Sequence, residues 1–419
     1  MKFYFGGEPS RVPDGWCWAP TPFRNEGRGS TNLRTSVCTY REFDTVIDGQ
    51  VSQQIADLHT VMVAAYTADQ WVPRSLEAAP DGWTRTMELS VPVVDLKTWE
   101  QPDVHRTLTD LLEFVTSDRW KVTFRGGHSR VWAEPLPRST PRVKRVSLYS
   151  GGLDSYSFAR ATAREEPCLL VTHLMPPGLH RLYDELAPTL DPHLMVSFQV
   201  QVNRRTKAVA NESTQRTRGL LFMTAGLLMC SSHAVAELTV PENGLLAVNP
   251  PLTASRPGAC MTKSVHPMTL HLLNTLLHHL GTEHRVINPY ALLTKGEVCR
   301  DAIARGDATL ADLAGTITCS HPESRRGQFA NCGHCYPCLV RHASLRAVGG
   351  DLTAYRDVDP AERVDPSGQH HRRAVIDWLS SDADHWDLVA GSPFPPGTDI
   401  AAMERMIRRS RAELAAALL

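Results

Sequence analysis

The sequence lacks any long hydrophobic run. Its longest uncharged apolar stretch, Gly219 to Cys230, is far short of the roughly 18 residues that a bilayer-spanning helix needs. The start, Met1-Lys2-Phe3-Tyr4-Phe5-Gly6, lacks the apolar core of a secretory signal. Internal repeats and low-complexity tracts are also missing, and no charge sign dominates: 44 Lys and Arg stand against 45 Asp and Glu, for a net charge of −1. These absences argue against a membrane protein and leave a chain expected in the cytoplasm. What is present is ordinary globular composition, 42% hydrophobic and 21% charged, which rules out a disordered or fibrous protein. At about 150 residues per domain, 419 residues predict two or three domains with a sizeable core.

The even charge balance conceals a partition. Residues 1–140 carry 15 basic and 18 acidic side chains, residues 141–349 carry 21 and 15, and residues 350–419 carry 8 and 12. The middle segment alone leans toward anionic ligands such as nucleotides, carboxylates or phosphates. Cysteine is partitioned too. Cys17, Cys38, Cys168, Cys230, Cys260 and Cys299 are scattered, whereas Cys319, Cys332, Cys335 and Cys338 crowd into twenty residues. In a cytosolic chain such a cluster reads as a metal site rather than a disulfide framework.

Strand-like stretches at Lys2–Phe5, Thr35–Tyr40, Thr86–Val94 and Trp120–Phe124, with helices over Val51–Tyr66 and His105–Val115, predict an N-terminal α+β extension over residues 1–140. It ends near a Pro/Arg-rich linker at Pro135–Pro141. In residues 141–349, Val143–Tyr149, Cys168–His173, Leu194–Val202, Leu245–Val248 and His284–Ile287 read as strands. Helices over Asp154–Ala163, Thr217–His233 and Pro267–Leu280 alternate with them, which predicts an α/β domain with a parallel sheet. Residues 350–419 form a helical C-terminal region, with helices expected at Arg372–Ser380 and Ile400–Leu419.

Two local patterns carry chemistry. Val146-Ser147-Leu148-Tyr149-Ser150-Gly151-Gly152-Leu153-Asp154-Ser155 lies where an apolar strand meets a helix. Paired glycines let backbone N–H groups approach a ligand, and the helix directs its positive end to the same place. Ser150 and Ser155 add hydroxyls, and Asp154 can cap the helix or help hold Mg²⁺. The assembly suits a pyrophosphate. The second pattern, Cys319-x₁₂-Cys332-x₂-Cys335-x₂-Cys338, offers a tetrahedral four-thiolate set suited to structural Zn²⁺ across residues 319–338. Iron–sulfur ligation and redox-active thiols are the lesser readings, and His321 and His334 stand near enough to serve as substitute ligands.

The loop resembles the S-G-G-x-D-S signature of the PP-loop ATP pyrophosphatases. With Thr318-Cys319 and Asn331-Cys332-Gly333-His334-Cys335-Tyr336-Pro337-Cys338-Leu339-Val340-Arg341, it is similar to the 7-cyano-7-deazaguanine synthase (QueC-like) family over roughly residues 143–346. Asn288–Glu297, ending Leu293-Thr294-Lys295-Gly296-Glu297, resembles that family's P-L-x-x-L-T-K-A-E segment, and Gln215–Phe222 resembles its P-G-R-N-x-x-F stretch more weakly. The resemblance implies an adenine-nucleotide α-hydrolase-like (PP-loop) sheet with a zinc-binding loop. It also implies ATP, Mg²⁺ and Zn²⁺ as cofactors, and ATP-dependent, AMP-forming activation of a 7-deazaguanine carboxylate. Ser150, Gly151, Gly152, Leu153, Asp154 and Ser155 then bind the nucleotide. Asp154, Ser155, Lys295 and Arg218 are the catalytic candidates, with Arg216 a further one.

The family's D-Y-G-Q and Y-P-D-C-R segments are absent. Val171-Thr172-His173-Leu174-Met175-Pro176 stands at the first, and Asn249–Gly258 followed by Ser264–Pro267 near the second. These departures and the long N-terminal extension make the whole chain resemble the QueC-like proteins of Qat-type bacterial anti-phage defence systems, in part through Met87–Asp95, Trp99 and Trp120. Expected partners are a 7-deazaguanine-type small molecule and proteins of a defence operon, with a homodimer among the permitted assemblies and nucleic acid not expected as the direct substrate. The nitrogen nucleophile is ammonia or an amine. The competing readings are housekeeping 7-cyano-7-deazaguanine synthesis, a PP-loop RNA-modifying enzyme and a nucleotide-binding scaffold without chemistry. His266, His271, His278, His279 and His284 cluster without a carboxylate to complete a metal site, His266 being the one most suited to touch substrate. Arg405, Arg408, Arg409 and Arg411 read as a solvated or partner face of the last helix, opposite the apolar Met403, Met406, Ile407 and Leu414.

Overall fold

Alternation in the N-terminal strands decides which side is buried. The computed structural model describes residues 1–7, 9–19, 37–41, 43–75, 79–127, 143–163, 165–174, 179–191, 193–202, 211–212, 214, 216–252, 262–320, 322, 330–357, 360, 369–381 and 393–419. Among them β1 is Lys2–Phe5, β2 Cys17–Ala19, β3 Val37–Arg41, β4 Thr86–Val93 and β5 Arg119–Gly126. A sheet of order β2-β1-β4-β5 is parallel throughout. Phe3, Phe5, Leu89, Val91, Val122 and Phe124 point from it into the core.

The second sheet is built from β6 (Arg145–Leu148), β7 (Cys168–His173), β8 (Leu194–Gln201), β9 (Glu237–Thr239) and β10 (Arg285–Ile287). Its order is β10-β9-β6-β7-β8-β3, parallel except for the antiparallel edge strand β3. Central β7 is buried along its whole length, as a strand covered on both faces must be, and its apolar Cys-Leu-Leu-Val run reflects that. The chain runs outward from β6 through β7 to β8, then returns to β6's other flank for β9 and β10. The order therefore reverses between β6 and β9, and crevices at the carboxyl ends of strands at such reversals are where open α/β sheets bind ligands.

Helix Gln53–Trp71 is buried from Ile55 to Trp71 because it lies between the two sheets. It packs on β4 and on helix Arg218–Ser232, and one continuous core includes Leu89 of the first sheet and Val146 and Phe198 of the second. The boundary expected near residue 140 is thus not a division between separate cores, since β3 belongs to the second sheet. Helix Ile400–Leu418 is likewise welded on. Its Met403, Met406, Ile407 and Leu414 pack with Leu245, Leu339 and Val375.

Most expected elements appear near their predicted bounds, and helices such as Lys295–Ala304 and Tyr336–Arg346 are additional to them. Leu245–Val248 lies in helix Gly244–Val248, which Asn243 caps by accepting from the Leu246 N–H at 3.2 Å. A short apolar run has no periodicity to separate helix from strand, and here the cap decides. The strand in that part of the sheet is the unanticipated Glu237–Thr239. The N-terminal region, expected as an α+β extension, carries a four-stranded sheet that is parallel throughout, with helices packed on it. Thr35, the Pro135–Pro141 linker, Met175, Pro176, Gln215, Thr253–Gly258 and His321 lie outside the described residues. Among those described, no helix is long and apolar enough to cross a membrane.

Candidate active site and metal centre

The Ser150–Gly152 loop leaves β6 at the reversal in strand order and enters helix Leu153–Ala163. Gly151 has φ +73°, a conformation that a side chain would strain. Ser155 closes the turn from inside: its Oγ accepts from the Ser150 N–H at 3.2 Å and donates to the Gly152 carbonyl at 3.2 Å. Tyr183 donates from its hydroxyl to the Ser150 carbonyl at 3.3 Å. Leu153 buries its side chain in the core, so it offers the loop only its backbone.

Asp154 stands at the first turn of that helix and is 4% exposed. Its Oδ2 accepts from Lys295 Nζ at 2.7 Å, Asn243 Nδ2 at 2.8 Å and the Asn243 N–H at 3.0 Å. Among the described residues, none donates a hydrogen bond to its buried Oδ1. Glu242, beside Asn243, is half-buried and accepts from Asn243 Nδ2 at 2.9 Å. Burial alone would raise the Asp154 carboxyl, but the Lys295 ammonium, Glu242 and Asn243 outweigh it and hold the group below the usual carboxylate range. Burial and the Asp154 charge push Glu242 well above that range. Burial favours a neutral Lys295, but Asp154 and Glu242 overcome it and keep the ammonium charged. The result is two carboxyl groups of opposite tendency around one lysine.

The elements that deliver these groups are tightly fixed. Lys295 opens helix Lys295–Ala304, whose capping box pairs Thr294 and Glu297. Glu413 of the last helix accepts from the Gly296 N–H at 3.3 Å and from the Thr294 hydroxyl. Gly244 lies so close to Ala291 and Met406 that a Cβ there would fall 2.4 Å from the Ala291 carbonyl oxygen.

The four cysteines form a second centre beside the first. All four sulfurs lie within 4.8 Å of one another, with Cys319–Cys335 and Cys332–Cys338 each 3.9 Å apart. Tetrahedral Zn²⁺ with bonds of about 2.3 Å requires sulfurs about 3.8 Å apart, so the set fits a closed four-thiolate metal site. Cys335 donates its N–H to Cys332 Sγ at 3.4 Å, the kind of support that orients a metal thiolate. His334 lies 3.9 Å from Asp357, and these two with Cys332 form a secondary group of ligand atoms.

A short bridge joins the two centres. The Ile317 N–H donates to the Gly151 carbonyl at 2.9 Å. Asn331, next to Cys332, holds the flanking residues by accepting from the Thr318 N–H and donating to the Thr316 carbonyl, each at 3.0 Å. Buried Arg341 donates to the Thr316 and Thr318 hydroxyls and to the Leu313 and Ala314 carbonyls. Its role is to fix this bridge, with no donor directed at a ligand.

Among the basic candidates, Lys295 joins Asp154 at the loop. Arg218 is exposed at the start of its helix, where its charge reaches His173 and Tyr183 and so the same end of the sheet. Arg216 turns the other way. It donates to the Thr116 carbonyl at 2.8 Å, lies over Trp83 and belongs to the buried junction with the N-terminal region. His266 is buried between Phe114 and Phe394, and its Nδ1 caps a helix by accepting from the Met268 N–H. Burial pushes that imidazole down to about 4. Glu242 and Asn243 escaped sequence reasoning; the available signal was their position just after β9, the strand flanking β6 at the reversal. A surface cleft bordered by Arg145, Phe158, Ala234 and Glu237 lies around the starts of β6 and β9 and contains none of the loop groups. Comparison with family models, curated proteins and solved structures finds no match.

Proposed function

We propose that the chain is an ATP-dependent, AMP-forming enzyme of the PP-loop type that activates a carboxylic acid of the 7-deazaguanine class for attack by ammonia or an amine. The observation that carries this reading is the buried Asp154–Lys295 pair with Glu242, set behind a glycine loop at the reversal of a parallel sheet. A buried ion pair adds little to stability, so its position against an anion-binding loop favours a role in chemistry.

The loop amides and the first turn of helix Leu153–Ala163 would hold the pyrophosphate portion of ATP. Asp154 Oδ1 and the Glu242 carboxyl are hard oxygen donors suited to Mg²⁺, which would neutralise phosphate charge. Lys295 keeps Asp154 ionised and oriented, and Arg218 would offer a positive charge to the incoming carboxylate. In the reaction, an acid oxygen attacks the α-phosphorus and the bond to the β-phosphate bridge breaks, releasing pyrophosphate. The nitrogen nucleophile then attacks the acyl carbon and AMP leaves. With ammonia the product is an amide, and a second ATP can adenylate the amide oxygen with release of pyrophosphate, after which that oxygen departs in AMP and the nitrogen loses its protons to give the nitrile. Zn²⁺ in the four-cysteine set is structural in this reading. The biological setting proposed is phage defence alongside partner proteins.

Mass spectrometry after incubation with ATP, Mg²⁺, ammonia and 7-deazaguanine-7-carboxylic acid tests the proposal. Nitrile or amide with matching AMP, lost in Asp154→Asn, supports it. Zinc-loaded, folded protein that forms no AMP and no new mass with ammonia or added amines contradicts it.

A further inference from the structure

All-parallel sheets are almost always covered on both faces, whereas among the described residues the helices packed on the N-terminal sheet lie on one. Helices Gln53–Trp71 and Pro102–Thr116 pack against it, and its apolar positions feed one core. The alternate positions form the other face, in which Tyr4 and Ser90 are buried beneath the half-buried Arg125. Arg119, Lys121 and Thr123 of β5 are exposed there, Lys2 keeps a 47% exposed side chain, and no described helix lies over them.

Register arranges this face in rungs. Tyr4 pairs with Trp18 on one side and Ser90 on the other, and Ser90 pairs with Thr123. The next rung runs from Lys2 through Glu88 to Lys121. Trp18 is 36% exposed, on an edge strand, beside Tyr4. The Arg125 guanidinium lies 3.6 Å over the Tyr4 ring, held by Ser90 and the Phe5 carbonyl. Glu88 is the one acidic residue in the four strands, and Lys2 engages it at 3.6 Å. Arg119 and Lys121 have no ion pair among the described residues. The face therefore carries a surplus of cations, an exposed indole and a flat guanidinium, although residues 1–140 as a whole are net acidic.

We infer that this face docks a single-stranded nucleic acid, RNA in the first instance. Charge complementarity selects a polyanion. The indole and the guanidinium plane, which lie on either side of Tyr4, favour one whose bases are free to stack, which a duplex or an acidic peptide does not offer. The cations meet the phosphates, and Trp18 and Arg125 take bases. The inference does not depend on the chemistry proposed at the glycine loop.

The test is fluorescence anisotropy of a labelled oligouridylate with the full-length, zinc-loaded protein, over a salt series. Trp18→Ala is expected to weaken binding about tenfold. Lys121→Glu should weaken it and flatten the log–log salt slope by about 0.7 or more. Lys97→Glu, on the exposed side of helix Leu96–Trp99, should leave binding unchanged. Circular dichroism and zinc content check the fold of each variant. No binding at low salt, or an equal loss in Lys97→Glu and Lys121→Glu, overturns the inference. Polyglutamate displacing the RNA at equal charge concentration also overturns it and indicates an acidic protein partner. ATP turnover measured in parallel reports separately on the loop.

Discussion

Asp154 has one oxygen committed to Lys295 and Asn243 and one buried without a donor among the described residues. In the proposed reaction, that asymmetry leaves Oδ1 as the oxygen available to Mg²⁺. Lys295→Met leaves the Asp154 charge buried and unpaired, so it should lower stability by about 3–5 kcal/mol as well as abolish turnover. Urea unfolding of the variant measures the first effect and AMP formation the second. His266 gives a pH signature of a different kind. Its folded pKa of about 4 lies below the usual histidine value of 6.5, so its contribution to stability is complete above 6.5 and is lost as pH falls toward 4. His266→Asn keeps a helix-capping acceptor without the titration. The unfolding midpoint of the variant is expected to fall less between pH 7 and pH 4 than that of the parent chain.

Among the elements, the bridge around Ile317 links the cysteine centre to the proposed nucleotide loop. Cys335→Ser should remove the metal, free the segment that donates to Gly151 and weaken ATP binding. Metal analysis with nucleotide titration of the same sample checks both. On the far side of the loop, Gly244→Ala forces a Cβ against the Ala291 carbonyl, and a backbone atom cannot swing away. A loss of about 1–3 kcal/mol, read by thermal melting, is expected. These contacts also explain what was legible in the sequence. The Ser150–Ser155 turn and the cysteine spacing are local, so their geometry is encoded within a few residues. Glu242 reaches Asp154 across 88 positions of chain and Glu413 reaches Gly296 across 117, pairings that exist only after the sheet and the last helix have assembled. Leu245–Val248 reads as a strand in the sequence because four residues of apolar chain do not reveal their own period, and Asn243 supplies the deciding cap.

At the scale of the whole molecule, helix Gln53–Trp71 and strand β3 tie the N-terminal region into the second sheet. A charged cluster seals the join. Arg85 pairs with Asp69 at 2.6 Å and Asp118 at 2.5 Å, while Asp69 also accepts from the Thr217 hydroxyl at 2.9 Å, just before Arg218. The alternation of β4 and β5 was readable from sequence. The shared core was not, because β3 pairs with a strand about 160 residues later. Arg85→Ala should therefore cost about 3–5 kcal/mol and destabilise both regions in one calorimetric transition, rather than melting the N-terminal part first. The central claim is that this assembly joins a carboxylic acid to AMP, and pyrophosphate–ATP exchange measures that step most directly. Labelled pyrophosphate should enter ATP only when Mg²⁺ and the 7-deazaguanine acid are both present, and Lys295→Met should abolish it. ADP and phosphate in place of exchange, from folded and zinc-loaded protein, would contradict the account.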